Sequence, residues 1–312
     1  MTPPLSTPIP AALRQTTVGW LLVLAATVTF SLVTPIGKAV IGNGAPPLLV
    51  LSLRFWLGVG LLALTLALLA PGTLSIDRRG LMITLTAGLI NGLGASCFFL
   101  SLRRLDASLA VMLFALSPLA VLGALWLRGE PLTRRHLLRL AFGLIGVYLL
   151  IGPGGRADWV GVALVLLAIA GYTIELVSIQ WFLPTYDIRT VTLYILLGMA
   201  IGISLMWAIL GTPTGGLGYP VWPAVLFLGV VCTYFTWWAT FAGIRILGTA
   251  QVALLSPLET LLSVIWSFWL LGERFHGWQW VGAGFVLLSA VLASRRLTRV
   301  RVRIRWRAWM RP

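Results

Sequence analysis

Polar positions are sparse along this chain and fall in short runs, so that apolar stretches stand out between them. Ten can be cut, at 18–40, 47–70, 80–100, 107–127, 136–152, 158–181, 190–210, 221–243, 249–271 and 277–294. A bilayer core of about 30 Å takes roughly 20 apolar residues of helix, and these stretches have that length. The separators read as turns, with Gly-Asn-Gly-Ala-Pro-Pro after the first stretch and Gly-Thr-Pro-Thr-Gly-Gly after the seventh. The pattern predicts an all-α membrane protein of ten transmembrane helices.

Composition agrees. Of the 312 residues 59% are hydrophobic and 10% charged, where a soluble domain carries about 25% charged residues. The net charge of +15 would suit nucleic acid, but eight of the arginines follow residue 294 and no folded domain accompanies them. Nucleic acid is therefore not an expected partner. With the N-terminus inside, seventeen basic residues face the cytoplasm and five the opposite side, with Arg54 intramembrane. That asymmetry predicts a multi-pass protein of the cell inner (cytoplasmic) membrane with both termini cytoplasmic. The tail at 295–312, strictly alternating from Arg299 to Arg307, suits contact with an anionic inner leaflet. Residues 1–17 hold four prolines and read as a disordered leader. Cys97 and Cys232 lie in apolar stretches, His136 and His276 in short loops, so no metal site, disulfide framework or cofactor is predicted.

Laid on itself with an offset near 142, the chain matches "SLRRLDAS" (101–108) to "GIRILGTA" (243–250), and at 143 "LRGE" (127–130) to "LLGE" (270–273). Two "LSPL" motifs, at 116–119 and 255–258, differ by 139, which displaces their prolines by about one turn. The units are 18–152 and 158–294. Five spans per unit is odd, so the halves enter the membrane from opposite sides. Inverted repeats of this kind build alternating-access transporters, with the substrate site near the midplane.

Two five-helix repeats, each ending in a proline-containing helix and a Gly-Glu turn, resemble the EamA-type proteins of the drug/metabolite transporter superfamily. "LSLRFWLGVGLLAL" (51–64) is similar to that family's arginine-bearing second helix, and "LLGERFHGWQWVGAGFVLLSAVL" (270–292) to its last helix pair. The resemblance implies a ten-helix carrier of small organic metabolites, often an exporter driven by ion exchange. The interval from Pro118 to Glu130 is twelve residues against sixteen from Pro257 to Glu273, a departure from the family pattern.

A charge at bilayer depth costs about 2.5–3.5 kcal/mol on insertion scales, so each is a candidate. Glu259 lies about 15 Å into the ninth stretch, two residues after Pro257, with no basic residue beside it. It reads as a proton-titrating or cation-binding carboxylate, or else as a neutral acid fixing helix packing. Glu175 is a second coupling candidate and Arg54 a substrate contact or the partner of an acid. Lys38 reads as an interfacial anchor; Glu130 and Glu273 suit structural or gate-closing roles. The eighth stretch carries Tyr234, Trp237 and Trp238 at mid-depth, set by the offset against the small-residue stretch of Asn91 and Ser96, so the two read either as substrate walls or as large-against-small packing. The expected function is a secondary transporter of small organic compounds, amino acids or relatives of them, with protons as a coupling partner and export as the direction. A membrane-embedded enzyme or lipid-handling protein is the rival reading, but no nucleophile–base motif, HExxH or intramembrane histidine supplies its chemistry.

Overall fold

A computed structural model describes residues 11–127, 134–151, 158–210, 221–248, 251–252, 255–274 and 277–297. Among them every regular element is a helix, because a lipid-facing backbone must satisfy its own hydrogen bonds. The first span is two helices, α1 (Ala11–Ser31) and α2 (Val33–Gly42). Pro35 has no N–H to give to the Ser31 carbonyl, and the helix breaks at Leu32 between them. α1 starts inside the stretch expected to be a leader, because Ala11, Ala12 and Leu13 favour helix. After α3 (Pro47–Leu69), a 3-10 turn (Pro71–Leu74) leads to α4 (Arg78–Ser101).

The next span is again broken, into α5 (Ala107–Phe114) and α6 (Ser117–Leu127). α7 (Arg134–Ile151), α8 (Trp159–Phe182) and α9 (Ile188–Leu210) follow. The eighth stretch runs through α10 (Val221–Leu226), a π-helical segment (Phe227–Phe235) and α11 (Thr236–Leu247). α12 (Ser256–Leu271) and α13 (Gly277–Leu297) close the order.

Seven of these stretches are long and apolar enough to cross a bilayer, and two shorter apolar helices join them, Ala141–Leu150 and Pro257–Leu271. The protein is a multi-pass membrane protein. α12 is short because it starts at Ser256, whereas the apolar pattern begins at 249. The residues expected as the arginine-rich tail lie outside the described residues from position 298 onward.

Contacts between the two halves come in matched sets. α4 packs on α8 as α11 packs on α1; α4 packs on α9 as the π segment packs on α3; α5 and α6 meet α8 as α12 meets α1 and α2. Three pairs join equivalent helices: α3 with α9, α5 with α12, and α7 with α13. Glycines let the backbones approach, as is common between helices in lipid. Gly94 and Gly171 face each other, as do Gly146 and Gly282, and a Cβ at Gly92 would stand 2.5 Å from the Met199 carbonyl oxygen.

Candidate substrate site

The two LSPL motifs occupy the same place in their helices. Ser117 begins α6 and Ser256 begins α12, so Pro118 and Pro257 are each the second residue of a helix that starts in the interior of its span. Proline suits that position because its missing N–H is one a helix start leaves unbonded anyway. The offset of 142 sets Ser117 against Glu259, whereas the helix starts set Ala120 there. The difference is one turn of chain added between the matched motifs.

Glu259 therefore sits in the first turn of α12, where the partial positive charge of the helix start faces a carboxylate. It is half-buried, and its carboxyl makes no hydrogen bond or ion pair to the described residues. On α8, Glu175 is 6% exposed and accepts a 2.5 Å hydrogen bond from the Asn91 side-chain amide of α4. Tyr172 lies one turn before Glu175 on α8. Its ring packs at 5.5 Å on Phe114, the last residue of α5 before the break, and Phe114 packs at 5.4 Å edge-on against Phe98. The fold thus joins Asn91 to Glu175, and Tyr172 on the same helix as Glu175 to Phe114 and Phe98.

Arg54 belongs to a different cluster. It is 4% exposed, and its Nε donates a 2.8 Å hydrogen bond to Thr233 Oγ1. Thr233 in turn donates to the Leu228 carbonyl, five residues back, at 2.9 Å, a bond that only the π-helical register permits. The guanidinium carbon stands 5.1 Å over the Phe55 ring. Arg54 forms no ion pair with Glu175 or Glu259; the ion pairs among the described residues, Arg104–Asp158 and Arg189–Asp187, are at helix ends.

The aromatic residues do not face the small-residue stretch. Tyr234 bonds through its hydroxyl to Thr65 Oγ1 of α3 at 2.8 Å. Trp237 packs on Phe241, and Trp238 is 41% exposed, stacked on Phe235. Ser96 is fully buried and spends its hydroxyl on the Gly92 carbonyl at 2.9 Å. The small-residue face of α4 is taken up by α8 and α9, whose own glycines let them come closer than a bulky aromatic face can.

Charged side chains tie the α4–α5 turn. Glu273, in the turn after α12, accepts from the backbone N–H of Ala107 and Ser108 at 2.7 and 2.9 Å and from the Ser108 hydroxyl at 2.6 Å. These are the orphan donors of the α5 start, capped by a carboxylate from the other half. Lys38 donates to the Leu102 and Leu105 carbonyls at 2.6 and 2.7 Å, so it is spent on that turn. Elsewhere, the Tyr186 hydroxyl donates to exposed Asp77 and holds its carboxyl below the usual range, while Thr190 and Tyr194 donate to the Thr73 and Leu74 carbonyls at 2.6 Å each. Glu130 lies outside the described residues.

The EamA-like transporter family matches this sequence twice, over residues 17–152 and 159–295. The chain belongs to that family. As an EamA protein it is part of the drug/metabolite transporter superfamily. It is also 23% identical over 205 residues to an uncharacterized transporter of Archaeoglobus fulgidus, covering 66% of this chain and 73% of that protein. A protein of known crystal structure covers 92% of this chain and 99% of its own at 22% identity and a TM-score of 0.58, which shows a common fold. The general function of an EamA protein is membrane transport of small molecules. Three features of the EamA chain escaped sequence reading: the π segment, the Phe98–Phe114–Tyr172 cluster, and the buried Ser263 on α12. Helical spacing signals only the last, since Ser263 falls one turn beyond Glu259.

Proposed function

We propose that this EamA protein is a secondary active transporter, not an enzyme, that exports amino acids or related amphipathic compounds by alternating access. In this reading ten helices in two inverted five-helix repeats cross the cytoplasmic membrane, with both termini cytoplasmic and the tail against the anionic leaflet. Glu259 couples substrate movement to protons, with Glu175 as its second acid, and Arg54 holds a substrate carboxylate. The capped α4–α5 turn is then at the outer face, where Glu273 and Lys38 close the outward path. Tyr234, Trp237 and Trp238 contribute through the packing of the eighth span around Arg54 and Thr233.

The observation that carries this reading is the paired interruption of α5/α6 and of the span that contains α12, one in each half, with an acid at one of the helix starts. Interrupted helices in corresponding positions of two repeats place helix ends and free backbone groups where transporters bind substrate and coupling ion. The test is uptake of labelled amino acids and amines into proteoliposomes with an imposed pH gradient. Gradient-dependent accumulation of at least one compound is the expected result; none for any compound, with protein correctly inserted, rules the reading out. Orientation is checked separately with Thr214→Cys, which should react with impermeant reagent from outside the cell.

A further inference from the structure

We infer that the π-helical segment sets the aim of Arg54, with Thr233 as the positioning residue, so that a carboxylate is taken end-on by the two terminal amino groups of the guanidinium. The inference rests on the reading of Arg54 as the holder of a substrate carboxylate. It deepens that reading by naming the side chain that fixes the geometry.

A chain of two hydrogen bonds carries it. Arginine has five N–H donors and no acceptor, so in the 2.8 Å bond from Arg54 Nε the Thr233 oxygen accepts. The one proton of the Thr233 hydroxyl goes to the Leu228 carbonyl, five residues back, at 2.9 Å. That proton's direction decides where the oxygen's lone pairs point, and the π register decides the proton's direction. In an α-helical run the hydroxyl reaches the carbonyl four residues back, as Ser96 does to Gly92 on α4. An α register would therefore offer Thr233 the Gly229 carbonyl and turn its lone pairs relative to Arg54.

The packing holds this register from outside the segment. A Cβ at Gly58, one turn after Arg54 on α3, would stand 2.5 Å from Thr233 Cγ2, and one at Gly229 would stand 2.6 Å from Leu57 Cδ2. The two glycines thus let the segment lie against α3 at this level. Just past the segment, Thr236 donates to the Val231 carbonyl, again five residues back, at 3.1 Å, and shares a 2.7 Å hydrogen bond with Thr29 of α1. One hold comes from α3 and the other from α1, so the aim of Arg54 depends on how those two helices lie together.

The guanidinium so fixed has donors left over. Its Nε is committed to Thr233, and its carbon stands 5.1 Å over the Phe55 ring. The terminal amino groups make no hydrogen bond to the described residues. The sealed polar atoms without a partner are Trp207 Nε1 and Ser263 Oγ, so the amino groups of Arg54 reach open space. Lys38 gives its ammonium to two carbonyls, and Arg104 and Arg189 pair with aspartates, whereas Arg54 has no carboxylate among the described residues. A buried charge needs a counter-charge, and the fork of two amino groups matches the two oxygens of a carboxylate.

The test is equilibrium binding of radiolabelled benzoate to the full chain in nanodiscs, with benzoate, benzamide and sodium chloride as competitors. Benzoate should compete, and benzamide and chloride should each be about tenfold or more weaker. Arg54→Lys, which keeps the charge without the fork, should weaken benzoate about tenfold or more. Thr233→Val should weaken it about tenfold, and Thr233→Ser, which keeps the hydroxyl, should stay within about twofold of the parent. Because Thr233 acts through Arg54, Thr233→Val should cost nothing further in the Arg54→Lys background, which a purely structural residue would not show. Ser204→Ala, which removes a bond between α3 and α9, should leave binding unchanged. Additive losses in the double variant, or a Thr233→Ser protein as weak as Thr233→Val, overturn the positioning role. Equal competition by benzamide or chloride, or no benzoate binding to the parent, overturns the carboxylate subsite. A loss in Arg54→Lys with none in Thr233→Val removes this inference and leaves the reading of Arg54 standing. Benzoate binding with the expected pattern but no flux of any compound in liposomes removes only the transporter reading.

Discussion

Asn91 and Thr233, equivalent positions of the two repeats at the offset near 142, are each the partner of one buried charge. Asn91 on α4 donates to Glu175, and Thr233 on the π segment accepts from Arg54. One repeat position thus handles an acid in one half and a base in the other, although the charged partners come from non-equivalent helices, α8 and α3. The asymmetry lies in the charges, while the scaffold that holds them repeats.

Removing either holder should be costly. Asn91→Leu and Thr233→Val leave a buried charge without its partner, and each should lower stability by about 1–3 kcal/mol. Loss of the neutral Thr65–Tyr234 bond in Tyr234→Phe should cost about 0.6 kcal/mol, typical of hydrogen bonds between helices in lipid. Thermal unfolding in nanodiscs gives the order; a larger loss in Tyr234→Phe than in both others contradicts it.

Glu259→Gln keeps shape and hydrogen-bonding capacity but cannot titrate. Under the coupling proposal, accumulation driven by a pH gradient is lost while exchange of substrate for substrate persists. Normal gradient-driven accumulation in this variant would reduce Glu259 to a helix-start carboxylate with no coupling role.

Glu273→Gln should weaken the cap on α5. The uncharged amide can present one carbonyl oxygen to donors that now share two carboxylate oxygens, at a cost of about 1–2 kcal/mol. If that cap closes the outward path, Ser108→Cys in the Glu273→Gln background should react with impermeant thiol reagent several times faster than Ser108→Cys alone. Equal rates would make the cap purely structural.

The Asp77–Tyr186 bond predicts a pH dependence of known sign. The bond holds the Asp77 carboxyl below its ordinary value of 3.8, so the folded state binds that proton less tightly than the unfolded one. Its stabilisation is complete above the unfolded value and is lost as pH falls through the lower folded value, that is, below about pH 4. The difference in melting temperature between the parent and Asp77→Asn should hold from pH 5 to 7 and shrink below 4. A difference that grows on acidification has the wrong sign.

Helix placement was legible because the bilayer imposes a length and a polarity on every span, and sequence displays both directly. The stretches at 47–70, 80–100 and 190–210 became α3, α4 and α9 within a few residues. The matching halves were legible too, since a duplicated unit keeps its loops in order, and the family matches twice, over 17–152 and 159–295. The charged residues worth attention, Glu259, Glu175 and Arg54, were visible for the same reason: a charge is conspicuous in an apolar run.

Which of them meet was a matter for the tertiary structure. Asn91 finds Glu175 because glycines let α4 and α8 touch, and Arg54 finds Thr233 because a π-helical register turns that hydroxyl toward α3. Neither close approach nor a one-residue change of register leaves a period in the sequence. The aromatic residues of the eighth span looked like one wall, yet helix rotation sent Trp238 outward and Tyr234 to Thr65, while Tyr172 and Phe114, unremarkable in sequence, came together one turn from Glu175. Apolarity tells a residue's depth in the membrane, and in lipid almost every face of a helix is apolar. The face each side chain presents is therefore set by packing against its neighbours, which only the folded chain contains.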